Sequence, residues 1–286
     1  MKRRKRRILW KLIKYGMYIA GIMIIVGIGS LGITYLMGPP PIITEQNTIL
    51  YSQDGTIIGV ESGVENRYWL ELEDISDKVV AATILIEDQH FYKHIGFDFP
   101  RIGAAILKNI QTKSLAEGAS TISQQLARNL YLTHEKTWTR KLKEAFYTIR
   151  LEMHYTKDEI LEGYLNTIYY GHGAYGIEAA SQYFFGKPQS ELTYAEAAML
   201  VGIPKGPSHY SPFYNEEKAN DRKNLILRQL RREKIIDDAT YHTAMQETLD
   251  YNHSDVHESH SFAGHFLDLA VREAAEILEV SELTVR

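Results

Sequence analysis

The 286-residue chain contains no cysteine. Disulfide bonds, thiolate metal sites and cysteine nucleophiles are therefore all excluded, and any exported domain must be stabilised by its own core. Hydrophobic residues make up 44% of the chain and charged residues 24%, which is ordinary for a folded globular protein.

The first fourteen residues contain no aspartate or glutamate, although they contain eight lysines and arginines. The rest of the chain holds 24 basic residues against 36 acidic ones, a formal charge of −12. Broad nucleic-acid binding needs a basic face, so this acidic body argues against it. An anionic substrate must instead meet a local cluster of basic side chains.

Residues 12–37 are apolar and glycine-rich, and Lys14 is their one charged residue. Their length suits a single transmembrane helix of about 20 residues or slightly more. The basic tail, residues 1–11, places the N-terminus in the cytoplasm and the body outside it. A cleaved signal peptide is the alternative, but the apolar region is long for one and no small-residue cleavage site stands out. Pro39–Pro41 predicts a stiff, extended spacer.

Asn47–Val60 predicts a β-hairpin, because Asp54-Gly55 is a turn pair between two β-prone runs. Tyr68–Leu70 is a further candidate strand. We therefore expect an extracytoplasmic stem with a small hairpin over residues 38–75.

From Ser76 onward the apolar spacing is helical almost throughout, which predicts a mainly α fold. We expect a body over residues 76–235, followed by C-terminal helices or a linker over 236–286. Ser76, Asp158 and Thr193 are predicted N-caps, and Pro204 and Pro207 end the helix before them. Helices are predicted over 76–87, 100–112, 119–131, 136–155, 157–168, 174–185, 193–202, 215–234, 237–250 and 262–279.

The stretch from residue 87 to 98 combines two adjacent carboxylates with aromatic residues and two histidines. If the preceding helix continues, Glu87, Phe91 and His94 share one face. A carboxylate at the end of a buried apolar run suits general acid or base catalysis. The alternative is a surface helix end with ordinary aromatic packing. His90 and His94 could also ligate a metal, but no third ligand is apparent.

A second polar concentration extends from Gly118 to Asn129. A helix start with free N–H groups and hydroxyls suits an anion or sugar oxygens. The alternative is a polar, solvent-facing helix with a Ser/Thr cap. On a helix, Thr121, Gln125 and Arg128 lie on one face, with Ser120 and Gln124 beside them.

A third concentration is the basic cluster Arg140-Lys141-Leu142-Lys143-Glu144. Helical pairs at these spacings usually stabilise an exposed helix by only a few tenths of a kcal/mol. In an acidic protein, however, basic residues beside one carboxylate could hold a phosphate while keeping Glu144 ionised.

Two other patterns favour structural interpretations. Gly171–Gly176 matches G-x-G-x-x-G, but that fingerprint needs a preceding strand in a βαβ unit, and a helix is predicted here. A tight glycine turn between two helices is the better interpretation. The histidines at 253, 257, 260 and 265 lie in a polar segment that favours a solvated linker.

Together these stretches resemble the peptidoglycan glycosyltransferases of family 51, the polymerase domains of class A penicillin-binding proteins and the monofunctional transglycosylases. The resemblance covers roughly residues 42–213 and is specific, because five separated motifs occur in the right order. They are Glu87-Asp88 with Phe91, His94 and Gly96; Gly118 with Ser120-Thr121, Gln124-Gln125 and Asn129; Arg140-Lys141 with Glu144; Ile160-Leu161-Glu162 with Tyr164-Leu165-Asn166, Gly171, Gly173 and Tyr175-Gly176; and Ala197 to Pro212, containing Pro204-Lys205-Gly206-Pro207-Ser208.

The resemblance implies a lysozyme-like helical fold at the bacterial cytoplasmic membrane, with a lower lobe in the outer leaflet. Its substrates would be lipid II and the growing glycan strand. Glu87 would be the general base, and Glu144 would assist at the donor pyrophosphate, with a divalent cation (Mg or Mn) as a possible helper. Arg128, Arg140 and Lys141 would neutralise the leaving group. Substrate would also contact Asp88, Phe91, His94, Ser120, Thr121, Gln124, Gln125, Asn166 and Lys205.

The same resemblance implies membrane lipid and other cell-wall synthesis or division proteins as partners. Arg128 stands where the family more often has Lys, and His172 where Asn is more usual. No S-x-x-K motif of a transpeptidase occurs in these residues. Residues 261–286 resemble the helix and linker that lead into such a domain, so we expect either the N-terminal piece of a bifunctional enzyme or a transglycosylase with a long tail. A lysozyme-like hydrolase and a non-catalytic envelope scaffold are the alternative functions.

Overall fold

The computed structural model describes residues 14, 15, 18, 29, 32, 34–42, 48–51, 57–61, 68–112, 118–132 and 137–252. The basic tail, most of the predicted span at 12–37 and the predicted helix at 262–279 lie outside these residues. Within the described part of the chain, no helix is both long and apolar enough to cross a membrane.

The described residues form a mainly helical body with two small antiparallel hairpins, which confirms the predicted fold class in that respect. Short 3₁₀ turns lie at Leu72–Asp74, Phe91–Lys93, Gln189–Glu191 and Ile203–Lys205. The strands are β1 (Thr48–Tyr51), β2 (Ile57–Glu61), β3 (Tyr169–Gly171) and β4 (Ala174–Tyr175). The helices are α1 (Asp77–Glu87), α2 (Phe99–Thr112), α3 (Ile122–Tyr131), α4 (Trp138–His154), α5 (Lys157–Thr167), α6 (Ile177–Phe185), α7 (Tyr194–Gly202), α8 (Pro207–Tyr210), α9 (Glu216–Arg232) and α10 (Asp238–Gln246).

Two groups of helices share one apolar core. In the first group α3 packs against α4 and α5; in the second α7 packs against α1, α9 and α10. The interior is filled by fully buried aliphatic side chains such as Val79, Leu126, Leu161 and Leu200. The end of α1 therefore lies where the two groups meet.

Threonine capping boxes begin three of the helices. Thr121, Thr156 and Thr193 each accept a hydrogen bond from the backbone N–H three residues on, and that residue's side chain bonds back to the threonine N–H. Such reciprocal bonds satisfy two otherwise unpaired helix donors. The prediction that Thr193 is an N-cap is confirmed, because it begins α7. Asp158 was the wrong cap for α5, because it lies inside the first turn and Thr156 precedes it.

The predicted first hairpin is present, with Ile49 opposite Val60. The candidate strand at 68–70 is wrong, because Leu70 has no strand partner. Its N–H donates to Asn166 Oδ1 (2.9 Å) and its carbonyl accepts from Asn166 Nδ2 (2.8 Å). A side-chain amide thus takes the place that a neighbouring strand would occupy.

The glycine-rich segment after α5 forms a second hairpin, β3–β4, that the sequence interpretation missed. Its two central residues, His172 (φ 55°) and Gly173 (φ 77°), are both left-handed, as a two-residue type I′ turn requires. Histidine and asparagine tolerate that conformation better than most residues, which accounts for His172 where Asn is more usual. Helix α6 consequently begins at Ile177 rather than at residue 174.

The body continues beyond residue 235. Helix α10 packs against α7 and α9. Residues 247–252, which were expected to be helical to 250, instead return to α6, where the Asn252 N–H donates to the Phe184 carbonyl (2.8 Å). The structural unit therefore includes at least residues 236–252.

The spacer at 37–42 is bonded to the body by three side chains, Arg150, Tyr155 and Tyr131, which we call the proline clamp. Arg150 Nη2 donates to the carbonyls of Gly38 (2.9 Å) and Met37 (3.3 Å). The hydroxyls of Tyr155 and Tyr131 donate to the carbonyls of Pro40 and Pro41, both at 2.7 Å.

Arg150 is only 9% exposed, and no carboxylate of the described residues lies within ion-pair distance of it. Residues 34–36 are helical and the chain turns at Gly38 (φ 72°). The carbonyls at a helix C-terminus carry partial negative charge, so the guanidinium is compensated by this helix end.

Ile42 completes the attachment, because it is buried against Gly163 in α5. A Cβ built on Gly163 would lie 2.6 Å from Ile42 Cγ2, closer than any side chain tolerates. We expect Gly163→Ala to destabilise the protein by about 1–3 kcal/mol through overpacking. Urea denaturation measures this loss.

Gly103→Ala is the matched control, since this glycine is also helical and its added Cβ would meet nothing within 4 Å. That variant should gain up to about 1 kcal/mol from helix propensity. Equal effects of the two substitutions would contradict the close approach of Ile42.

The turn residue His172 generates a prediction about pH. Burial lowers the pKa of His172 below its usual 6.5. Above that pH the ring is neutral in both folded and unfolded states. As the pH falls from there through the folded-state pKa, the unfolded state binds the proton first, so stability must decrease.

We expect His172→Asn to lose less stability than wild type between pH 8 and about pH 5.5, because asparagine does not titrate and tolerates positive φ. Urea midpoints of both proteins at the two pH values give the comparison. Identical losses in wild type and variant would show that other groups account for the decline.

Candidate active site

Glu87 is the last residue of α1 and is half-buried. Gln125 of α3 donates from Nε2 to Glu87 Oε2 (2.7 Å), and the Tyr164 hydroxyl of α5 lies 3.4 Å from Gln125 Oε1. No hydrogen bond from a described residue reaches the other carboxylate oxygen, Oε1. Three helices thus orient one carboxylate while leaving one of its oxygens open.

Asp88 lies in the interior rather than beside the open oxygen. Its carboxylate is fully buried and accepts hydrogen bonds from His94 Nε2 (2.9 and 3.0 Å) and from the Ile122 N–H (3.0 Å). The Ile122 amide belongs to the first turn of α3, where free N–H groups favour a negative charge. Asp88 therefore ties the end of α1 to the start of α3.

The tautomer of His94 follows from its two partners. Nδ1 accepts a hydrogen bond from the Gly96 N–H (3.1 Å), so it carries no proton. The ring is then neutral, and Nε2–H donates to Asp88. Both nitrogens are occupied in this way, which removes His94 as a metal ligand.

The segment after Glu87 departs from the helical expectation. Helix α1 ends at Glu87, and Phe91 lies in a separate 3₁₀ turn, so Glu87, Phe91 and His94 do not share one helix face. Phe91 is completely buried, with the Lys157 ammonium 4.4 Å from its ring centroid.

His90 has its own carboxylate partner, with Nδ1 2.9 Å from Asp98 Oδ2. Burial by itself would raise the pKa of Asp98, but hydrogen bonds from the Arg101 amide and the His90 ring hold it below the usual range. Across the described residues, no three His, Asp or Glu side chains are placed to hold a metal ion.

The residues at the start of α3 hold the backbone in place. Thr121 is fully buried, and its hydroxyl donates to the Gly96 carbonyl (2.7 Å). Gln124, 4% exposed, completes the capping box with Thr121. Ser120, directly before the cap, is half-buried. Thr121 and Gln124 are therefore committed to the helix start, and the direct sugar contacts predicted for them have no support in this geometry.

Gly96 joins this segment to α4. Its φ of 88° is left-handed, and an added Cβ would lie 2.8 Å from Thr148 Cγ2. The Thr148 hydroxyl donates to the Glu144 carbonyl (2.7 Å). A continuous path of contacts therefore leads from Asp88 through Gly96 to the helix that carries Glu144.

The basic cluster on α4 forms as predicted. Glu144 is 1% exposed and is paired with the Lys141 ammonium. Arg140 Nη1 lies 3.8 Å from Glu144 Oε2, and this oxygen and Arg140 Nε are both buried without a hydrogen-bond partner. A buried polar atom without a partner is costly, which marks a place for a ligand's polar group.

A divalent cation does not fit this cluster. Glu144 is the one carboxylate on it, and Lys141 and Arg140 already occupy its surroundings with positive charge. Magnesium and manganese prefer several oxygen ligands, and no group of three acidic or histidine side chains among the described residues is placed to hold a metal ion. The arrangement suits a polyanion instead.

Asn166 of α5 binds the backbone at Leu70, within the predicted stem. Its amide pairs with Leu70 as described above and also donates to the Glu162 carbonyl (2.9 Å), and it is 2% exposed. Glu162 in turn accepts from the Trp69 indole and the Leu72 N–H, both at 3.0 Å. Both N–H groups of the Asn166 amide and one lone pair of its Oδ1 are thus used within the protein, so the predicted sugar contact of Asn166 has no support in this geometry.

Arg222 of α9 is a site residue that sequence reasoning missed. Its guanidinium lies 6.0 Å from the Tyr210 ring centroid, and Lys205 lies 5.8 Å from the same ring. Burial lowers the pKa of Arg222, whereas the negative charge of Glu87 and the Tyr210 side chain act in the opposite direction. Among the described residues Arg222 has no ion-pair partner, and its Nε is buried without a hydrogen bond.

Two buried tyrosines lie within electrostatic range of Glu87. Burial, followed by the negative charge of Glu87, raises the pKa of both Tyr164 and Tyr170. Arg128, half-buried on α3, opposes that effect at Tyr164. No spacing in α9 or β3 distinguishes Arg222 or Tyr170 from neighbouring basic and aromatic residues, so no sequence signal could have found them.

The family model described as Transglycosylase matches residues 54–231. Penicillin-binding protein 2D of Bacillus subtilis (strain 168) is 52% identical over 236 residues, which cover 82% of this chain and 34% of that protein. Penicillin-binding protein 1A of Aquifex aeolicus (strain VF5) is 39% identical over 224 residues, covering 78% of this chain and 30% of that protein.

A crystal structure of penicillin-binding protein 1A from Haemophilus influenzae covers 81% of this chain and 24% of that chain, with 23% identity and a TM-score of 0.43. A TM-score of 0.43 does not establish that the two chains share a fold. The chain spans about a third of the length of the curated relatives it matches. On the evidence of the family match and these sequence relatives, the chain belongs to the transglycosylase family.

Proposed function

We propose that this chain polymerises lipid II into glycan strands at the outer face of the bacterial cytoplasmic membrane, with a lysozyme-like fold. Undecaprenyl pyrophosphate is the leaving group, and the reaction inverts the anomeric carbon. The observation that carries the proposal is the carboxylate of Glu87: Gln125 holds its Oε2, no described residue bonds its Oε1, and its charge acts on Arg222, a cation without an ion-pair partner among the described residues.

Glu87 acts as the general base. Its Oε1 takes the proton from the 4-hydroxyl of the acceptor sugar, and that oxygen then attacks the anomeric carbon of the growing chain. The bond from that carbon to the pyrophosphate oxygen breaks at the same time. Gln125 keeps Oε2 in place (2.7 Å), so the carboxylate has one orientation when the hydroxyl arrives.

The cations around the site stabilise the leaving group. Negative charge accumulates on the pyrophosphate as the bond breaks, and fixed positive groups in a partly desolvated site stabilise that charge strongly. Arg140 and Lys141 supply them on α4, where Glu144 holds both side chains in place. Lys205 and Arg222 supply them on the side of Tyr210.

The remaining motif residues position these groups. Asp88, His94 and Thr121 fix the backbone around Glu87, and Asn166 fixes the stem. Residues 12–37 anchor the chain in the membrane with the N-terminus inside the cell, so the proline clamp fixes the body to the end of that anchor.

Glu87→Gln tests the base directly. Glutamine keeps the shape and can still bond Gln125, but it cannot accept the hydroxyl proton, so polymerisation should fall by about 10²–10⁴-fold. Gel analysis of glycan strands made from lipid II measures this. The exposed Glu73→Gln is the control and should retain full activity.

Wild-type turnover in Glu87→Gln would remove Glu87 from the mechanism. Cleavage of preformed glycan by the wild-type protein, without strand synthesis from lipid II, would favour a hydrolase over the proposed polymerase. Equal loss in Glu73→Gln would indicate a general effect of removing negative charge.

Arg222→Gln tests the cation found in the structure. We expect about a tenfold or greater loss of kcat/KM for lipid II, because a charge-assisted contact to the pyrophosphate is removed. Arg228→Gln, an exposed arginine on the same helix, is the matched control and should behave as wild type. Equal kinetics of the two variants, with unchanged circular dichroism, would exclude Arg222 from the substrate site.

A further inference from the structure

The side-chain amide of Gln125 lies between an acceptor and a donor. On one side its Nε2 donates to Glu87 Oε2 (2.7 Å). On the other side its Oε1 accepts a hydrogen bond from the Tyr164 hydroxyl (3.4 Å). We call these three side chains the hydrogen-bond chain. Because an amide donates only through nitrogen and accepts only through oxygen, both bonds require the same orientation of the Gln125 amide.

The hydroxyl of Tyr164 always enters this chain as a donor. The side chain is 1% exposed, and burial, followed by the negative charge of Glu87, raises its pKa well above the usual value. Asp88 acts in the same direction, whereas Arg128 acts in the opposite one. The hydroxyl therefore keeps its proton throughout the neutral pH range. Among the described residues, Gln125 Oε1 is the one acceptor that this hydroxyl reaches.

A Gln125 amide turned over by 180° would lose both bonds. Its Oε1 would then face Glu87 Oε2, which places two acceptors against each other. The Tyr164 O–H would face Nε2 and keep no acceptor. Gln125 is only 9% exposed, so little water is available to replace the lost bond. A buried donor without an acceptor is costly, and the amide is therefore held in one orientation.

We propose that Tyr164 is a positioning residue, which acts through Gln125 to confine the proton taken up by Glu87 to Oε1. While Gln125 Nε2–H points at Oε2, a proton on Oε2 would meet another donor, so Oε1 is the oxygen left to receive it. The proton's role rests on the proposed function, in which Glu87 is the base. The same constraint disfavours a resting Glu87 that already carries a proton and cannot act as a base.

The other charged and titratable groups around Glu87 come from several elements. Arg101 donates from its guanidinium to the Glu87 backbone carbonyl, and the remaining groups act through charge. They are Asp88 next in the chain, Arg128 of α3, Tyr170 of β3 and Arg222 of α9. A variant that lacks only the Tyr164 hydroxyl keeps all of these groups, so their effect on Glu87 cancels when it is compared with wild type.

Tyr164→Phe tests the proposal, because it removes the hydroxyl and keeps the ring that packs in the core. The Gln125 amide can then turn over and accept a hydrogen bond from a protonated Oε2, which stabilises the protonated form of Glu87. We expect the titration midpoint of Glu87 to rise by about 0.5–1 pH unit. Carbon-13 NMR of the glutamate-labelled full chain in detergent measures it, and the Glu87 resonance is the one missing from Glu87→Gln.

Tyr194→Phe is the matched control. This half-buried tyrosine begins α7 and lies beside Lys78, at the opposite end of α1 from Glu87. Its loss of a hydroxyl should leave the Glu87 midpoint as in wild type. An equal rise in both variants would indicate a general effect of the substitution and would contradict the role of Tyr164.

A double-mutant cycle tests whether Tyr164 acts through Gln125. In a Gln125→Leu background the amide is absent, so adding Tyr164→Phe should no longer move the Glu87 midpoint. Additive shifts would show that the hydroxyl acts on Glu87 without the amide, and would overturn the proposal. An unmoved midpoint in a Tyr164→Phe protein with unchanged circular dichroism would overturn it as well.

The enzymatic readout is the pH profile of kcat/KM for lipid II. In Tyr164→Phe its acid limb should move upward by the same amount as the Glu87 midpoint. Above both limbs kcat/KM should stay within about threefold of wild type, because Gln125 still donates to the ionised carboxylate. Loss of activity by the same factor at every pH would indicate a structural role and contradict the proposal.

The two proposals fail separately, because the NMR titration needs no turnover. A raised midpoint in Tyr164→Phe, without any strand synthesis by wild type, would reject the polymerase and leave the positioning role standing. Strand synthesis by wild type, with the same midpoint and the same acid limb in Tyr164→Phe, would reject the role of Tyr164 alone.

Discussion

The buried carboxylate of Asp88 is the interaction on which the rest of the site depends. An ion taken out of water costs several kcal/mol unless fixed hydrogen bonds replace its hydration. Here His94 and the Ile122 N–H provide those bonds at 2.9–3.0 Å. Since these partners come from a turn and from α3, the ion cannot be satisfied unless both are in place.

That requirement explains the geometry of the neighbouring carboxylate, Glu87. Glu87 and Asp88 are consecutive, and the chain leaves the helix between them. Asp88 turns inward to α3, while Glu87 stays at the surface of the core, where α3 offers Gln125. Two chemically similar residues thus take opposite roles because one is enclosed by donors and the other keeps an open oxygen.

Much of this arrangement could be predicted from the sequence. The part that could not be predicted depends on tertiary contacts. Helix positions followed from apolar spacing, and the pairing of Lys141 with Glu144 followed from their separation on one helix. The sequence did not, however, show towards which partner a polar side chain points. Thr121 and Asn166 have polar groups suited to sugars, but tertiary contacts with Gly96 and Leu70 occupy those groups.

Contacts between residues that are far apart in the sequence could not be predicted either. Arg222 comes within electrostatic range of Glu87 only because α9 packs against α1, more than a hundred positions earlier in the chain. The β3–β4 hairpin was missed because its strands are too short to show an alternating pattern, so two glycines and a histidine were its whole signal.

The proline clamp has a mechanical consequence. Carbonyls at positions 37, 38, 40 and 41 are all bonded to the body, so this part of the chain cannot act as a hinge. Arg150 also lies on the same rigid helix as Glu144, less than two turns away. A tilt or pull applied ahead of Met37 is therefore transmitted as torque to the helix that carries Arg140, Lys141 and Glu144.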